Sequence, residues 1–435
     1  MYCGYITTIK QLRKHSNADR LQCTTIFGNH VIVNMSYKEG QRVVFFPTDG
    51  QLSVEFAEDN NLARKKDEDG NSIGGYLDPD KRNITALRLR GEKSEGLVLP
   101  IEVLAKYTNI NKLTDGTQIT ELNGHEICRK YIPRSNRPRN VSSNVETQGQ
   151  KKRKSKVSYP FFVEHIDTAQ LAYNQQAFKE GDICYITLKM HGTSARTANA
   201  LQVTRKPAPR LLKKWFGMKD KEITEYKLVS GTRRTTIRDE ESAWSRSNAF
   251  RQRYHQMFDG MLPKGMEIFY EIVGWSDATT TIMGKCSNKR IKDKEFSKEY
   301  GDETVFSYGC AVGESDCYVY RMTMLNPDGY AVELPWEQVQ HECEKMGLKC
   351  VPTFERFVFT TWEDLMERVE KYYDGPDPVG KTHVREGVVV RIDNRSHFTA
   401  YKHKNFNFKV LEGIIKDTAD APDMEEAEDL VKNAE

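Results

Sequence analysis

The residues with the clearest chemical potential are three lysines at predicted strand ends. Lys189 ends the apolar run DICYITLK and opens the polar turn MHGTS. Lys402 and Lys404 stand two residues apart in AYKHK, so both side chains point to the same face of a strand. A phosphate between them would offset their repulsion. The alternative is an edge strand protected by lysines, although the following Phe406 and Phe408 favour a packed strand.

Two glutamates also stand at predicted strand ends. Glu271 lies near the end of MEIFYEIVG, and Glu386 begins EGVVVRI, ahead of its three valines. Ligands commonly bind beyond strand ends, and a carboxylate placed there can hold a divalent cation or a lysine. Each glutamate alone is typical of a surface charge or a structural ion pair. Together with three lysines at strand ends, they indicate one site for a phosphorylated ligand.

A lysine at the mouth of a polar turn can attack phosphorus if its amine is unprotonated. The ordinary lysine pKa is about 10.4, so the amine needs a partly desolvated pocket and neighbouring cations that lower this pKa. Lys402, Lys404 and a bound Mg²⁺ would supply that charge and would also stabilise the transition state of phosphoryl transfer. Gly192, in the turn after Lys189, would let the backbone approach a nucleotide closely.

Composition sets the broad class of the protein. The chain has 435 residues, of which 38% are hydrophobic and 29% charged, as expected for a globular protein of two or three domains. No run of about 18 apolar residues occurs, so no membrane partner is expected. The nine cysteines form no C-x-x-C pair, which indicates a reducing compartment and argues against a disulfide framework or a zinc site. We therefore expect a cytoplasmic location, and we also expect a monomer without a protein partner.

Charge is segregated along the chain although the net charge is only +3. Residues 128–157 carry ten lysines and arginines against one acid, and a second basic patch covers 204–221. The C-terminal residues are acidic. This segregation favours an anionic polymer as ligand, while a solvated linker is an equally good explanation of 128–157 alone. The run KKRKSK at 151–156 resembles a nuclear address, which would change the expected location.

The expected fold class is α+β, in four segments. Residues 1–125 predict short strands divided by Gly, Asn and Pro turns, and 126–157 predict a basic linker. Residues 158–415 alternate strands and helices, among them an amphipathic helix in TWEDLMERVEKYY. Residues 416–435 form an acidic tail.

The N-terminal segment resembles an oligonucleotide-binding (OB) barrel. KHSNADRLQ is similar to the H-P-N-A-D-x-L signature of tRNA-binding OB domains, and RLRGEKSEGLVLP is similar to their closing strands. About five short strands in a hundred residues suit such a small closed barrel. A generic β-barrel without a ligand is the alternative.

The second segment resembles the covalent nucleotidyltransferases, whose catalytic domain is built of antiparallel, ATP-grasp-like sheets. The resemblance rests on the order of K-x-H-G-T-S, E-I-V-G, the aromatic run TVFSYGCAV, E-G-V-V-V-R and K-x-K. DNA ligases and capping enzymes usually have K-x-D-G, with Asp where this chain has His191, and an OB domain after the last motif. Only about thirty residues follow Lys404 here, too few for a barrel. An OB-like domain before the transferase is similar to the fifth RNA ligase family, which seals 3′-OH and 5′-phosphate ends.

This resemblance implies roles for the residues around the motif lysine. Lys189 would become linked to AMP, and His191 would lie beside the phosphates. Glu271 would contact the ribose hydroxyls. Tyr308 would stack on adenine, with Phe306 as the rival for that role.

The later motifs would bind phosphate and metal. Glu386 would bind a metal ion or its water, and Lys402 and Lys404 would hold the α-phosphate. Arg233 would contact the nucleotide or the 5′-phosphate, with Arg234 as its rival. Ser194 departs from the Asn that is common in phage-type RNA ligases, so its contact with phosphate stays open.

The resemblance implies an ATP-dependent RNA ligase that uses Mg²⁺ or Mn²⁺. Lys189 would attack the α-phosphorus of ATP and release pyrophosphate, AMP would pass to a 5′-phosphate, and a 3′-OH would then displace AMP. The expected substrate is a nick in an RNA or RNA/DNA duplex whose 3′-OH strand is RNA. The alternatives are a DNA ligase or capping-type guanylyltransferase, and a non-catalytic RNA-binding protein.

Overall fold

The structure is a computed structural model of the chain. It describes residues 2–66, 72–73, 75–132, 157–206, 215, 221–237, 249–291, 293–326, 328–393 and 395–417. The basic segment and the acidic tail predicted at the two ends of the second domain lie mostly outside these residues, as does most of 204–221.

The strands and helices are numbered in chain order. The strands are β1 (Gly4–Thr8), β2 (Arg13–Lys14), β3 (Leu21–Ile26), β4 (Asn29–Asn34), β5 (Arg42–Phe46), β6 (Gly50–Leu52), β7 (Lys65–Lys66), β8 (Ser72–Ile73), β9 (Asn83–Ile84), β10 (Ala86–Leu89), β11 (Glu92–Glu95), β12 (Leu97–Pro100), β13 (Gln118–Ile119), β14 (Glu121–Leu122), β15 (His125–Glu126), β16 (Cys128–Lys130), β17 (Val157–Ser158), β18 (Ala169–Gln170), β19 (Ile183–Lys189), β20 (Thr193–Lys206), β21 (Lys221–Thr232), β22 (Met266–Gly274), β23 (Cys286–Ser287), β24 (Glu303–Thr304), β25 (Ser315–Leu325), β26 (Ala331–Glu333), β27 (Thr353–Val358), β28 (Gly387–Ile392) and β29 (Thr399–Lys404). The α-helices are α1 (Val54–Asp59), α2 (Ala249–Phe258), α3 (Lys294–Tyr300), α4 (Trp336–Met346), α5 (Trp362–Tyr372) and α6 (Phe406–Asp417). Short 3₁₀ turns occupy Ile101–Leu104, Ile110–Lys112, Leu171–Tyr173, Gln175–Ala177 and Asn288–Ile291.

The chain forms two compact units. The first takes its residues from Met1–Arg134, Asn288–Asp293 and Asn405–Ala419, and the second takes those of Ser135–Ser287, Lys294–Lys404 and Asp420–Glu435. Helix α6 therefore belongs to the first unit although it directly follows the last strand of the second. The domain boundaries predicted from the sequence stay predictions.

The first unit is built on antiparallel strands. Its largest sheet has the order β12-β5-β1-β13, beside three-stranded sheets β2-β3-β4 and β16-β6-β9. The central strand β5 reads RVVFF, and its last four residues are fully buried, as a continuous apolar run in a covered strand requires. Among the described residues, these strands divide between separate sheets, and no closed barrel is found.

The second unit contains two larger sheets. The six-stranded sheet has the order β17-β20-β22-β25-β26, with β21 paired to β20, and the five-stranded sheet has the order β18-β29-β28-β19-β27. All these pairings are antiparallel except β18 with β29. The prediction of a mixed fold rich in antiparallel strands is confirmed.

The turn at residues 190–192 joins the two sheets of the second unit. Strand β19 of the five-stranded sheet ends at Lys189, and β20 of the six-stranded sheet begins at Thr193. Helix α2 packs on one face of the six-stranded sheet, where Tyr254 and Phe258 contact the ring of Tyr270 at 5.9 and 5.2 Å between ring centroids. Because side chains alternate along a strand, Glu271 faces the other side of the sheet, towards the turn.

Candidate active site

Lys189 and Lys404 lie in one row across three neighbouring strands. Lys189 on β19 pairs with Gly387 on β28, and Gly387 pairs with Lys404 on β29. Directly opposite residues share a face of the sheet, so both lysines flank a position that has no side chain. Gly387 has a φ of 145°, and a Cβ there would lie 2.1 Å from the carbonyl oxygen of His403. Glycine is therefore required between the two lysines.

The carboxylate of Glu386 lies between the two amines. Lys189 Nζ donates a hydrogen bond of 2.9 Å to Glu386 Oε2, and Lys404 Nζ lies 3.3 Å from Oε1. The Nδ1 atom of His191 is 3.9 Å from the same Oε2. The Glu386 side chain is only 2% exposed, whereas that of Lys189 is 21% exposed. Two ammonium groups share one carboxylate, and the excess positive charge suits a polyphosphate ligand.

Lys402 lies two residues before Lys404 on β29. It pairs with Val389 on β28 and with Gln170 on β18. The alternation of the strand gives Lys402 and Lys404 the same face, as the sequence predicted. The strand ends there, because Phe406 begins α6 and the Asn405 side chain accepts from the Asn407 N–H at 2.7 Å. The packed strand predicted through Phe406 and Phe408 is therefore wrong.

Glu271 holds the turn that follows Lys189. Its Oε1 accepts from the Gly192 N–H and its Oε2 from the Ser194 hydroxyl, both at 3.0 Å. A Cβ on Gly192 would lie 2.3 Å from the carbonyl oxygen of Ile272. Glycine is therefore required at position 192 because the turn packs closely on β22, a contact that the sequence did not reveal.

Tyr308 lies in a turn and not in the strand predicted for TVFSYGCAV. Only Glu303–Thr304 of that region is a strand, and Tyr308 has a φ of 51°. Its side chain is 4% exposed, and its hydroxyl oxygen accepts from the His191 N–H at 2.6 Å. Burial raises the pKa of Tyr308 well above its usual range. Its rival Phe306 is also buried and meets the His191 ring edge-on at 4.6 Å. Stacking of either ring on adenine stays a prediction.

Arg233 and Arg234 converge on a single carboxylate. Both follow β21, and both guanidinium groups donate to Asp167, that of Arg234 at 3.1 Å. The structure therefore brings these arginines to Asp167 and not, among its described contacts, to the carboxylate of Glu386. Their predicted contact with a phosphate stays a prediction.

Two residues near the site were missed from the sequence. Arg251 on α2 is 1% exposed and donates to the Ser194 carbonyl at 2.8 Å and to the Thr193 hydroxyl at 2.5 Å. Tyr318 on β25 lies directly opposite Glu271. The alternating run SDCYVYRMTML could have identified Tyr318, whereas nothing local to Arg251 distinguishes it from a surface arginine.

The carboxylates of the site suit a metal ion that arrives with a nucleotide. The described residues contain no cluster of three or more His, Cys, Asp or Glu side chains that could hold a metal by themselves. Mg²⁺ commonly binds through one or two carboxylates together with substrate phosphates and water. Glu386, as a single buried carboxylate beside two lysines, fits that mode.

A buried histidine beside Tyr308 should make stability depend on pH. His383 is fully buried, its Nδ1 lies 2.9 Å from the Val384 carbonyl, and burial lowers its pKa below the ordinary 6.5. As the pH falls through 6.5, the unfolded chain binds a proton that the buried ring does not. The free energy of unfolding should therefore fall by at most about 1.4 kcal/mol per pH unit from this group. Chemical denaturation at pH 7, 6 and 5 should show a shallower dependence for His383→Gln than for wild type; parallel curves would contradict the prediction.

Comparisons with known proteins identify a family and a similar fold. The RNA ligase family model matches residues 182–411. A solved RNA ligase from Naegleria gruberi, a lysine-to-alanine mutant with ATP and Mn, has a TM-score of 0.56 at 16% identity and covers 93% of this chain and 98% of its own. A glutamate-to-alanine mutant of that ligase with AMP and Mn has a TM-score of 0.57 at 16% identity, and the match covers 94% of this chain and 98% of the mutant. The same ligase with PPi has a TM-score of 0.55 at 17% identity, and the match covers 94% of this chain and 98% of the ligase.

At these identities the structural matches show the fold, and the family model shows the family. No curated protein matches the sequence. Every helix in the described part of the chain is too short or too polar to traverse a bilayer. The family model covers more than half of the chain, from the start of β19 into α6, and includes every lysine and glutamate of the site. The chain therefore belongs to the RNA ligase family and is a polynucleotide ligase.

Proposed function

We propose that this ligase uses ATP to join 3′-OH and 5′-phosphate ends through an AMP group carried on Lys189. The observation that carries the proposal is the Glu386 carboxylate held between Lys189 and Lys404 at 2.9 and 3.3 Å. Such a site offers a nucleophilic amine, an acceptor for its proton and a second cation for phosphate. The Naegleria structures contain ATP, AMP, Mn and PPi, which supports the same nucleotide, metal ion and products here.

The proposed reaction has three balanced steps. Lys189 Nζ loses a proton, for which Glu386 Oε2 is the nearest acceptor, and attacks the α-phosphorus of ATP; a P–N bond forms and pyrophosphate leaves. A 5′-phosphate oxygen then attacks the same phosphorus, which releases the amine and leaves AMP on the nucleic acid. A 3′-OH finally attacks the 5′-phosphorus, loses its proton to solvent and displaces AMP.

The remaining residues of the site bind and orient. Lys402 and Lys404 share a face at the strand end and would hold the α-phosphate, with His191 beside them. Glu386 would hold Mg²⁺ or Mn²⁺, which when bound neutralises polyphosphate charge. Glu271 would reach the ribose hydroxyls, and this contact would exchange with its hydrogen bonds to the turn.

Arg233 would contact the 5′-phosphate or the nucleotide, in exchange for its contact with Asp167. Stacking of Tyr308 on adenine stays a prediction, and its burial and the hydrogen bond that it accepts from the His191 N–H support a second role, in holding the turn.

The first unit would hold the nucleic acid, as an OB-type domain does. Its antiparallel sheets and the exposed Arg129 and Lys130 on β16 support this role. We further propose that the enzyme acts as a cytoplasmic monomer, a location that agrees with nine free cysteines.

The direct test is mass spectrometry of the intact protein after incubation with ATP and Mg²⁺. The expected result is a single AMP adduct that peptide mapping places on Lys189. A protein that takes up GTP in place of ATP would be a capping-type enzyme. Absence of any nucleotide adduct would leave a protein that binds RNA without catalysis, and the proposal would fall.

The proposed substrate is a nick in a duplex whose 3′-OH strand is RNA. A protein can distinguish RNA from DNA through the 2′-OH, so we expect sealing to be roughly 10-fold or more faster with a terminal ribonucleotide than with a deoxyribonucleotide, the loss that one buried hydrogen bond produces. Sealing rates on two nicked duplexes that differ in this 2′-OH alone measure it. Equal rates would make the enzyme a ligase without preference for RNA ends, and rising salt should weaken binding of both duplexes.

A further inference from the structure

The segment before Glu386 packs tightly on the turn that carries Tyr308. A Cβ on Gly380 would lie 2.4 Å from both the Gly309 nitrogen and the Tyr308 carbonyl carbon. Real Cβ atoms do not approach backbone so closely, so no larger residue fits here without a shift of one of the two segments. The segment is called the 376–385 loop below.

The 376–385 loop is held by a buried carboxylate. Asp377 is fully buried, and its Oδ2 accepts from the Gly380 N–H at 2.6 Å and from the Lys381 N–H at 3.2 Å. The Asp377 N–H donates to the His383 carbonyl at 2.8 Å. Pro376 and Val384 form a β-bridge that closes the loop. These bonds fix the backbone position of Gly380.

The Tyr308 turn needs such support. A tyrosine with positive φ is held in a conformation that non-glycine residues adopt at a cost and keep only where the surroundings demand it. The ring of His383 meets Tyr308 edge-on at 4.5 Å and Phe306 at 5.0 Å. The 376–385 loop thus contacts the backbone of the Tyr308 turn through Gly380, and it contacts the rings of Tyr308 and Phe306 through His383.

The other end of this chain of contacts is the nucleophile. The Tyr308 hydroxyl accepts from the His191 N–H at 2.6 Å, two residues after Lys189. Phe306 meets the His191 ring at 4.6 Å. The 376–385 loop itself leads directly into Glu386, which accepts from Lys189. Both partners of the Lys189–Glu386 pair are therefore tied to the same loop.

We infer that Gly380 and Asp377 are positioning residues for adenylyl transfer. The 376–385 loop, which they fix, holds Tyr308 against the turn at residues 190–192. This contact sets the distance between Lys189 and Glu386. This inference rests on the proposed function of Lys189. Reaction rates depend steeply on such placement, and a misplacement of about 1 Å can cost roughly 100-fold. Binding of ATP, in contrast, would depend on the proposed contacts of Lys402, Lys404 and Glu271, none of which lies in this loop.

The test is Gly380→Ala, compared with Tyr308→Phe and with the double variant. The single-turnover rate of lysyl-AMP formation should fall roughly 10- to 100-fold in each single variant, while KM for ATP changes less than about 3-fold. Because both substitutions release the same hydrogen bond to His191, the double variant should be little slower than the slower single variant. Gly413→Ala is the matched control: among the described residues its Cβ would meet the Thr85 side chain, at an ordinary 3.7 Å, and its rate should equal that of wild type.

The outcomes separate this inference from the proposed function. If wild type forms no adduct, the proposed function fails first. If wild type forms the adduct and Gly380→Ala matches it, the inference is wrong. If the losses of the two single variants multiply fully in the double variant, Gly380 has a structural role only. The same conclusion follows if kcat and the melting temperature fall together while KM rises strongly. Should Gly380→Ala not fold, Tyr308→Phe and Asp377→Asn carry the same comparison.

Discussion

Lys189→Ala is expected to fold normally and to take up no AMP from ATP. The side-chain amine is the proposed nucleophile, and the other lysine that contacts Glu386, Lys404, lies on the far side of that carboxylate. Without a covalent carrier, ATP-dependent sealing should fall to background, a loss of at least about 10⁴-fold. A nick that already carries AMP on its 5′-phosphate needs no lysyl-AMP, so the variant should still seal it at a measurable rate. Gel assays on the two nicks, side by side, measure both effects.

Two further variants sharpen this test. Lys189→Arg keeps the positive charge, but a guanidinium stays protonated and cannot attack phosphorus, so it should behave as the alanine variant does. Lys345→Ala removes an exposed lysine on α4 and should leave sealing unchanged. An AMP adduct on another residue in Lys189→Ala, or normal sealing by Lys189→Arg, would show that this amine is not the carrier.

The convergence of the lysines and Glu386 could be predicted from the sequence because it depends on strand ends. Each residue stands at or beside an end of a predicted strand, and antiparallel pairing of β19, β28 and β29 brings those ends into register. The order of the motifs along the chain then indicated the chemistry. The contacts at 2.9 and 3.3 Å add the arrangement, with the carboxylate between the amines.

The position of Tyr308 could not be predicted, because a short apolar run is ambiguous. TVFSYGCAV has the composition of a strand, but the strand that pairs with β22 beyond Glu271 is β25, further along the chain. The turn between them is specified by long-range packing, such as the contact of Gly380 with Tyr308, and no local pattern encodes it. The sequence therefore indicated an aromatic residue near the site, but the prediction that this residue lies in a strand is wrong, because Tyr308 lies in a turn.

Strand β29 ends at Lys404, before the two phenylalanines, for a local reason. Phe406 and Phe408, two residues apart, resemble one face of a strand. Asn405 between Lys404 and Phe406 is, however, a good helix N-cap, and its side chain accepts from the N–H groups of the first turn of α6. Weighing the cap above the two-residue spacing would have ended the strand correctly at Lys404.

Glu386→Gln is expected to slow adenylyl transfer severely while leaving the fold intact. Glutamine keeps the shape of the side chain but removes the negative charge that lies between Lys189 and Lys404. The two ammonium groups would then lose the negative charge that separates them, the proton of Lys189 would lose its acceptor, and the carboxylate for the metal ion would be missing. Loss of one such electrostatic group typically costs about 10²- to 10³-fold in rate.

Glu271→Gln is the matched comparison for Glu386→Gln, since it also removes one carboxylate from the site. Its amide oxygen can still accept from either the Gly192 N–H or the Ser194 hydroxyl, so the expected loss is smaller, roughly 10-fold. Single-turnover formation of lysyl-AMP, measured across a range of Mg²⁺ and Mn²⁺ concentrations, distinguishes the two sites. If added metal fully restores Glu386→Gln, the carboxylate serves only to bind the ion. A wild-type rate at every metal concentration would remove Glu386 from the mechanism, and a residual 100-fold defect at saturating metal would show that its charge acts on Lys189 itself.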